Sequence, residues 1–348
     1  MSTGYQLFKY DGPITLDSGA VLPAYHLAYT THGQLNEAKD NVVWVFHALT
    51  ANSDPAEWWP GLVGEGKLFD PASYFIVCVN MPGSCYGSIS PLDVDPGIGQ
   101  PYYHGFPFFT TRDMIRAYQP LREFLGIKKI HVGIGGSMGG QQLVEWAIEE
   151  PDLFRFIFPI ATNALHSPWG IAFNTAQRMA IESDGTWKER TATAGLEGMR
   201  AARAMALLSY RHYDTYQKFQ PGNAAVSYQR YQGEKLVRRF SAFSYYMLSQ
   251  SMDSHNVGRG RGSIEKALGQ VKAAALVISI DTDILFPPAE QQLLASLIPG
   301  ASYHSIYSLY GHDGFLLEFE GIERLVKAFI QDKCVNLHSF SMGPVAGP

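Results

Sequence analysis

Cysteine is scarce: three in 348 residues, Cys78, Cys85 and Cys334, an odd number at no metal-ligand spacing. A disulfide framework and a thiolate metal site are thereby disfavoured, and free thiols in a reducing cytoplasm are expected. No apolar run approaches the roughly 20 residues that span a bilayer. The opening Met1-Ser2-Thr3-Gly4-Tyr5 has no signal-peptide h-region, so neither membrane insertion nor export is expected. Positive charge is not in excess. Lys and Arg number 27 against 32 Asp and Glu, a formal net charge of −5, which argues against general affinity for nucleic acid or anionic membrane. Repeats, heptads and low-complexity tracts are missing as well. What the chain has is apolar material, 46% of its residues, enough for one large α/β domain or a domain carrying an insertion.

The most informative stretch runs from Lys129 to Gly140. A β-branched apolar run enters a glycine cluster, and a helical pattern follows from Gln141 to Glu150. Gly135-x-Ser137-x-Gly139 matches the nucleophile elbow, a strand-turn-helix that leaves a serine hydroxyl exposed above a sheet. Glycines are needed on both sides because side chains there would collide with so sharp a turn. An ordinary glycine-rich turn that binds phosphate, or nothing, has the same local pattern.

Around it the chain reads as strands alternating with helices. Tyr5 to Tyr29 suggests antiparallel strands at a sheet edge, and Asn41–Phe46 and Tyr74–Val79 suggest strands buried on both faces. Thr111–Leu125 reads as a helix. Further strands are expected at Phe156–Ile160, Ala275–Ile280 and Tyr303–Tyr307, with a closing helix from Phe315 to Gln331. Between about Ser167 and Gly262 buried strand runs vanish and helical spacing dominates. The expected division is a core of residues 1–166 and 263–335, a helical lid insertion of 167–262 over the strand ends, and a tail of 336–348. The core is expected to be a mostly parallel sheet with helices on both faces.

A serine hydroxyl needs a base, and the base needs an orienting acid. Asp281 and Asp283 follow one late strand, and His312 follows the last. The chain order Ser137, Asp283, His312 is that of the α/β-hydrolase fold. Asp281 competes with Asp283, and the residues alone do not separate them. His131 in a strand and His338 in the tail are not placed to act as base. An oxyanion hole needs two backbone N–H groups. Met138, directly after the nucleophile, and Leu49, in the loop after the Phe46 strand, are the candidates. His47 is expected to brace that loop.

The chain resembles the homoserine O-acetyltransferase family of α/β-hydrolase-fold enzymes. The resemblance rests on His47-Ala48-Leu49-Thr50, the loop Gly83 to Ser88, Thr111-Arg112-Asp113-Met114, the elbow with Glu145-Trp146, and His166 to Asn174 with Gln177-Arg178. It continues in Asp283-x-Leu285-Phe286-Pro287-Pro288 and Gly311-His312-Asp313-Gly314-Phe315-Leu316, so it spans about residues 40 to 320. It implies Ser137 as nucleophile, Asp283 as acid and His312 as base. It also implies Arg203 on the substrate carboxylate, Asp313 near the substrate ammonium, and Tyr210 within reach.

The implied reaction is ping-pong transfer of an acetyl group from acetyl-CoA to L-homoserine, in methionine biosynthesis. No permanent cofactor or metal is implied, and a homodimer is, by analogy. Departures at Ala51, at Gly83-Ser84-Cys85 and at Ser88-Ile89-Ser90-Pro91 lie near the acyl site. Succinyl transfer, serine as acceptor, and simple ester or thioester hydrolysis are the alternatives. Arg259 and Arg261, with Arg238 and Arg239, form a cationic stretch that either meets CoA phosphates or is a solvated linker.

Overall fold

The computed structural model describes residues 4–341; residues 342–348, and the side chains from Asn336 on, lie outside the described residues. An eight-stranded sheet forms the centre. Its strands are β1 (Gln6–Tyr10), β2 (Tyr25–His32), β3 (Val42–Phe46), β4 (Phe75–Val79), β5 (Ile130–Gly136), β6 (Phe154–Ile160), β7 (Ala274–Ile280) and β8 (Ser302–Ile306). They lie in the order β1-β2-β4-β3-β5-β6-β7-β8. β1 and β2 are antiparallel at one edge, β2 is antiparallel to β4, and every pairing from β4 to β8 is parallel.

Alternation along β3 explains why both faces are covered. Val42, Trp44 and Phe46 enter one hydrophobic cluster, and Val43 and Val45 the other. Helices α1 (Thr111–Phe124) and α2 (Met138–Glu149) close the first with Met114, Tyr118 and Trp146. Helix α9 (Phe319–Ser341) closes the second with Ile322, Val326 and Phe329. The closing helix expected at Phe315–Gln331 is in fact two pieces, Gly314–Leu317 and α9, with a break at Glu318. Residues 336–341, expected in the tail, continue α9.

Between β6 and β7 run α3 (Pro168–Glu182), α4 (Leu196–Tyr210), α5 (Tyr213–Phe219), α6 (Ala224–Val237) and α7 (Ala242–Asp253). α8 (Pro288–Leu297) joins β7 to β8. A buried polar brace fixes the helical segment at its root. Asp253 of α7 receives hydrogen bonds from Asn174 and Arg178 of α3, and His255 sits between Thr111 of α1 and the Asn163 carbonyl. Burial lowers the pKa of His255 to about 3, so it works as a neutral bridge. Among the described residues no helix is long and apolar enough to cross a membrane.

The register decides where chemistry can occur. Phe46 pairs with Gly135, Gly136 with Ile160, and Ile160 with Ile278, so β3, β5 and β6 finish within about one residue of each other and β7 runs two residues further at the same edge. The loops that follow them, His47–Thr50, Ser137 and Asp281–Asp283, therefore gather on one rim, where open α/β sheets bind ligands.

Behind the elbow, α2 is tied down by ion pairs. Glu145 meets Arg112 at 2.6 Å and Arg261 at 2.7 Å, and Arg261 also meets Glu149 at 2.6 Å. Arg259 approaches Asp17 at 3.6 Å, and its carbonyl accepts from Arg112. The Arg259–Arg261 stretch is thus not a solvated linker: both guanidinium groups meet carboxylates. The carboxylates of α2 and Asp17 hold it in place. The Glu145 side chain is only 2% exposed; removing it takes from Arg112 its nearest carboxylate and leaves Arg261 with Glu149 alone. Glu145→Ala is expected to lower unfolding free energy by about 3–5 kcal/mol, measured by urea denaturation.

Candidate active site

Ser137 stands between β5 and α2 with φ 57° and ψ −129°, a region that L side chains seldom occupy. Its amide donates to the Ile160 carbonyl at 3.0 Å, and its carbonyl accepts from Gln141 N–H and Thr162 Oγ1. These bonds hold the turn from both sides. A Cβ on Gly139 would lie 2.2 Å from the Phe46 carbonyl oxygen, and one on Gly135 would lie 2.7 Å from the Gly139 backbone. Glycine at both positions is what allows α2 to start against the end of β3.

His312 lies on a short 3-10 turn, Gly311–Asp313, beyond β8. Its Nδ1 meets Asp283 Oδ2 at 2.6 Å, while Asp283 Oδ1 accepts from the backbone N–H groups of Leu285 and Phe286. Asp281 instead accepts from Ser308 N–H, bridging the ends of β7 and β8. The fold separates the two aspartates: Asp283, and not Asp281, meets His312. With its proton on Nδ1, the imidazole keeps a lone pair on Nε2. The ring stacks on Phe286 at 5.1 Å and leans on Phe315 and Tyr210, so its plane is set by packing.

Ser137 and His312 line one cavity of about 550 Å³, together with Leu49, Arg203, Tyr210 and Asp313. Six of the eight residues expected at the site thus line it. Asp283 sits behind His312, and Met138 follows Ser137 as the first residue of α2. Neither the Leu49 nor the Met138 amide donates to a protein acceptor among the described residues. His47 braces the Leu49 loop. It donates from Nδ1 to the Ala48 carbonyl and accepts at Nε2 from Met81 N–H, and burial lowers its pKa to about 4, so it stays neutral.

Arg203 and Tyr210 are seven residues apart on α4, on the same helix face, with the guanidinium 5.4 Å from the phenol ring centroid. Arg203 has no carboxylate partner among the described residues, whereas Asp313 is paired with Arg211 Nε at 3.1 Å. Burial raises the pKa of Tyr210, keeping it a neutral donor. Sequence reasoning passed over Arg211, and also Lys235 at the cavity mouth. Arg211 directly follows Tyr210, so helical position was the available signal. Arg239, grouped earlier with Arg259 and Arg261, parts from them: it lines the cavity and donates to Tyr86 OH and the Thr50 carbonyl.

Among the described residues there is no cluster of three or more His, Cys, Asp or Glu side chains able to hold a metal. The arrangement suits acyl chemistry: a serine at a helix N-terminus, an oriented histidine lining the same cavity, and two backbone N–H groups without a protein acceptor among the described residues.

A family described as alpha/beta hydrolase fold matches residues 41–319. A homoserine O-acetyltransferase of Cyclobacterium marinum is 48% identical over 331 residues, covering 93% of this chain and 94% of that protein. Among solved structures, the homoserine O-acetyltransferase of Bacillus anthracis superposes with a TM-score of 0.87 at 23% identity, covering 93% of this chain and 96% of that one. An acetylester hydrolase of Corynebacterium glutamicum reaches 0.84 at 24%, covering 94% and 96%. A transferase and a hydrolase on the same scaffold share the fold alone. The 48% sequence identity carries the finer distinction.

Burial lowers the pKa of His312, but the Asp283 carboxylate outweighs it, and the net direction is upward from 6.5. Only the neutral ring accepts a proton, so the acid limb of kcat/KM is expected above pH 6.5. Asp283→Asn removes the opposing charge and leaves the burial. The limb should move to lower pH while the rate falls by about 10³–10⁴, both read from one pH-rate profile.

Proposed function

The chain belongs to the homoserine O-acetyltransferase family, and from that premise we propose that it moves an acetyl group from acetyl-CoA to the hydroxyl of L-homoserine by a ping-pong route. The observation that carries this reading is one cavity holding Ser137, an Asp283-bonded His312 and an arginine, Arg203, without a carboxylate partner among the described residues. An ester hydrolase needs the first two. An amino-acid acceptor gives a reason for the third, because a guanidinium donates two parallel hydrogen bonds to a carboxylate.

In the first half-reaction His312 Nε2 takes the Ser137 hydroxyl proton as Oγ attacks the thioester carbonyl. The N–H groups of Leu49 and Met138 hold the oxyanion, the C–S bond breaks, and the proton passes to the departing CoA sulfur. In the second, homoserine enters with its carboxylate on Arg203 and its ammonium at Asp313. Its hydroxyl gives a proton to His312 and attacks the acyl carbon, and Ser137 leaves with that proton returned. Transfer exceeds hydrolysis when water is kept out and the acceptor is held in line. The helical insertion of 167–262 is the lid that supplies both.

Donor phosphates are accommodated at the cavity mouth, where Lys235 and Arg239 stand about one helical turn apart. Lys235 is the freer of the two, since Arg239 already holds Tyr86 and Thr50. A homodimer is proposed through exposed apolar residues of the insertion, including Trp169, Met179 and Leu208. A cytoplasmic setting accords with the three cysteines, none of which forms a disulfide among the described residues.

The test crosses acetyl-CoA and succinyl-CoA with L-homoserine, L-serine and no acceptor, following CoA release. Release with acetyl-CoA that requires L-homoserine, and that Ser137→Ala abolishes, is expected; release indifferent to the acceptor would make the protein a hydrolase. For the mouth, Lys235→Glu is expected to raise KM for acetyl-CoA several-fold, roughly what one lost exposed charge contact contributes. KM for p-nitrophenyl acetate, which carries no phosphate, should stay put.

A further inference from the structure

The C-terminal end of α4 is seated directly on the loop that carries His312. Gly311 has φ 63°, and a Cβ there would lie 2.8 Å from His212 N and 3.0 Å from the Arg211 carbonyl carbon, so the two backbones touch. Thr215 Oγ1 donates to the Leu309 carbonyl, and Phe219 stacks on Tyr310 at 5.9 Å with the rings 7° from parallel. The Arg211 guanidinium also lies over the Tyr310 ring at 5.8 Å. One charged tie crosses this junction, Arg211 Nε to Asp313 Oδ2 at 3.1 Å, with both side chains largely buried, 19% and 14% exposed.

The consequence lies in what α4 carries. Arg203 is eight residues before Arg211, and both line the cavity with His312 and Asp313. The acceptor's two charges thus meet groups whose spacing is set by one helix and one ion pair. Asp313 Oδ2 faces Arg211, which leaves Oδ1 as the oxygen available to an ammonium group. Without Arg211 the carboxylate could rotate, and nothing charged would hold the end of α4 against the base loop.

We infer that Arg211 is a positioning residue for the acceptor: it fixes the Asp313 carboxylate and its distance from Arg203, and so makes the site select a substrate with an ammonium group. This rests on homoserine being the acceptor. The guanidinium touches neither the acyl group nor the reacting hydroxyl, so its effect falls on acceptor discrimination.

The experiment compares kcat/KM for L-homoserine and for 4-hydroxybutyrate, which is homoserine without its amino group, in wild type, Arg211→Met and Arg211→Lys. The wild-type ratio is expected to favour homoserine strongly. Arg211→Met should reduce that ratio about tenfold, between what losing an exposed and a buried ion-pair partner costs, and Arg211→Lys should restore most of it. A ratio that stays constant while both rates fall together would overturn the inference, since that is the mark of a merely structural residue. So would an unchanged ratio at unchanged rates. Should Arg211→Met fail to fold, Arg211→Gln, which also removes the charge, is expected to show the same reduced ratio, and a ratio equal to wild type in that variant would again count against the inference. A wild type indifferent to homoserine would instead sink the underlying acceptor assignment, and is visible before any variant is made.

Discussion

Ser137 is held in a backbone conformation that costs an ordinary residue on the order of 1–3 kcal/mol. The surrounding architecture exists in good part to hold it there. β3, β5 and β6 finish level, so the Ile160 carbonyl can take the Ser137 amide and the Phe46 carbonyl can sit against Gly139. α2 starts at once, placing the Met138 amide at the positive end of a helix dipole. The ion pairs of Glu145 and Glu149 hold the far side of the same helix. Loosening any of these lets the turn relax and the hydroxyl retreat.

The charges of the molecule divide into two sets with different work. Arg112, Arg116, Arg259 and Arg261 meet carboxylates of α2 and Asp17, and their charge is spent on holding elements together. Arg203, Arg211, Lys235 and Arg239 line the cavity, and there only Arg211 has a carboxylate partner among the described residues. A hydrolase of simple esters gains little from such a mouth. A two-substrate transferase with an anionic donor and a zwitterionic acceptor gains at both steps.

The helical insertion contributes Arg203, Tyr210 and Arg211 to the lining of the cavity. Its root is fixed by Asp253, Asn174, Arg178 and His255, and its far end by the Gly311 and Arg211 contacts. α4, whose C-terminal end meets the Gly311–Asp313 turn, places Arg203 and Tyr210 in the cavity with His312. On the proposed reading, water exclusion and acceptor alignment come from one element.

Much of this was legible from local pattern. Continuous apolar runs marked the buried strands, the glycine spacing marked the elbow, and the order of Ser137, an aspartate and His312 marked the rim, because each depends on neighbours within a few residues. The motif Asp283-x-Leu285-Phe286 even encodes its own support: two of its amides hold the carboxylate and its phenylalanine stacks on the histidine. What the sequence left open were matters of direction and partnership across the chain. Asp281 and Asp283 differ by two residues in a loop, and the register of β7 and β8 turns one toward Ser308 and the other toward His312. Arg259 and Arg239 are equally cationic as letters, yet one is taken up by Asp17 and the other reaches the cavity mouth. Arg211 carried no motif at all. Its role comes from contact between residues 102 positions apart, and such contacts exist only once the parallel sheet has brought its strand ends level.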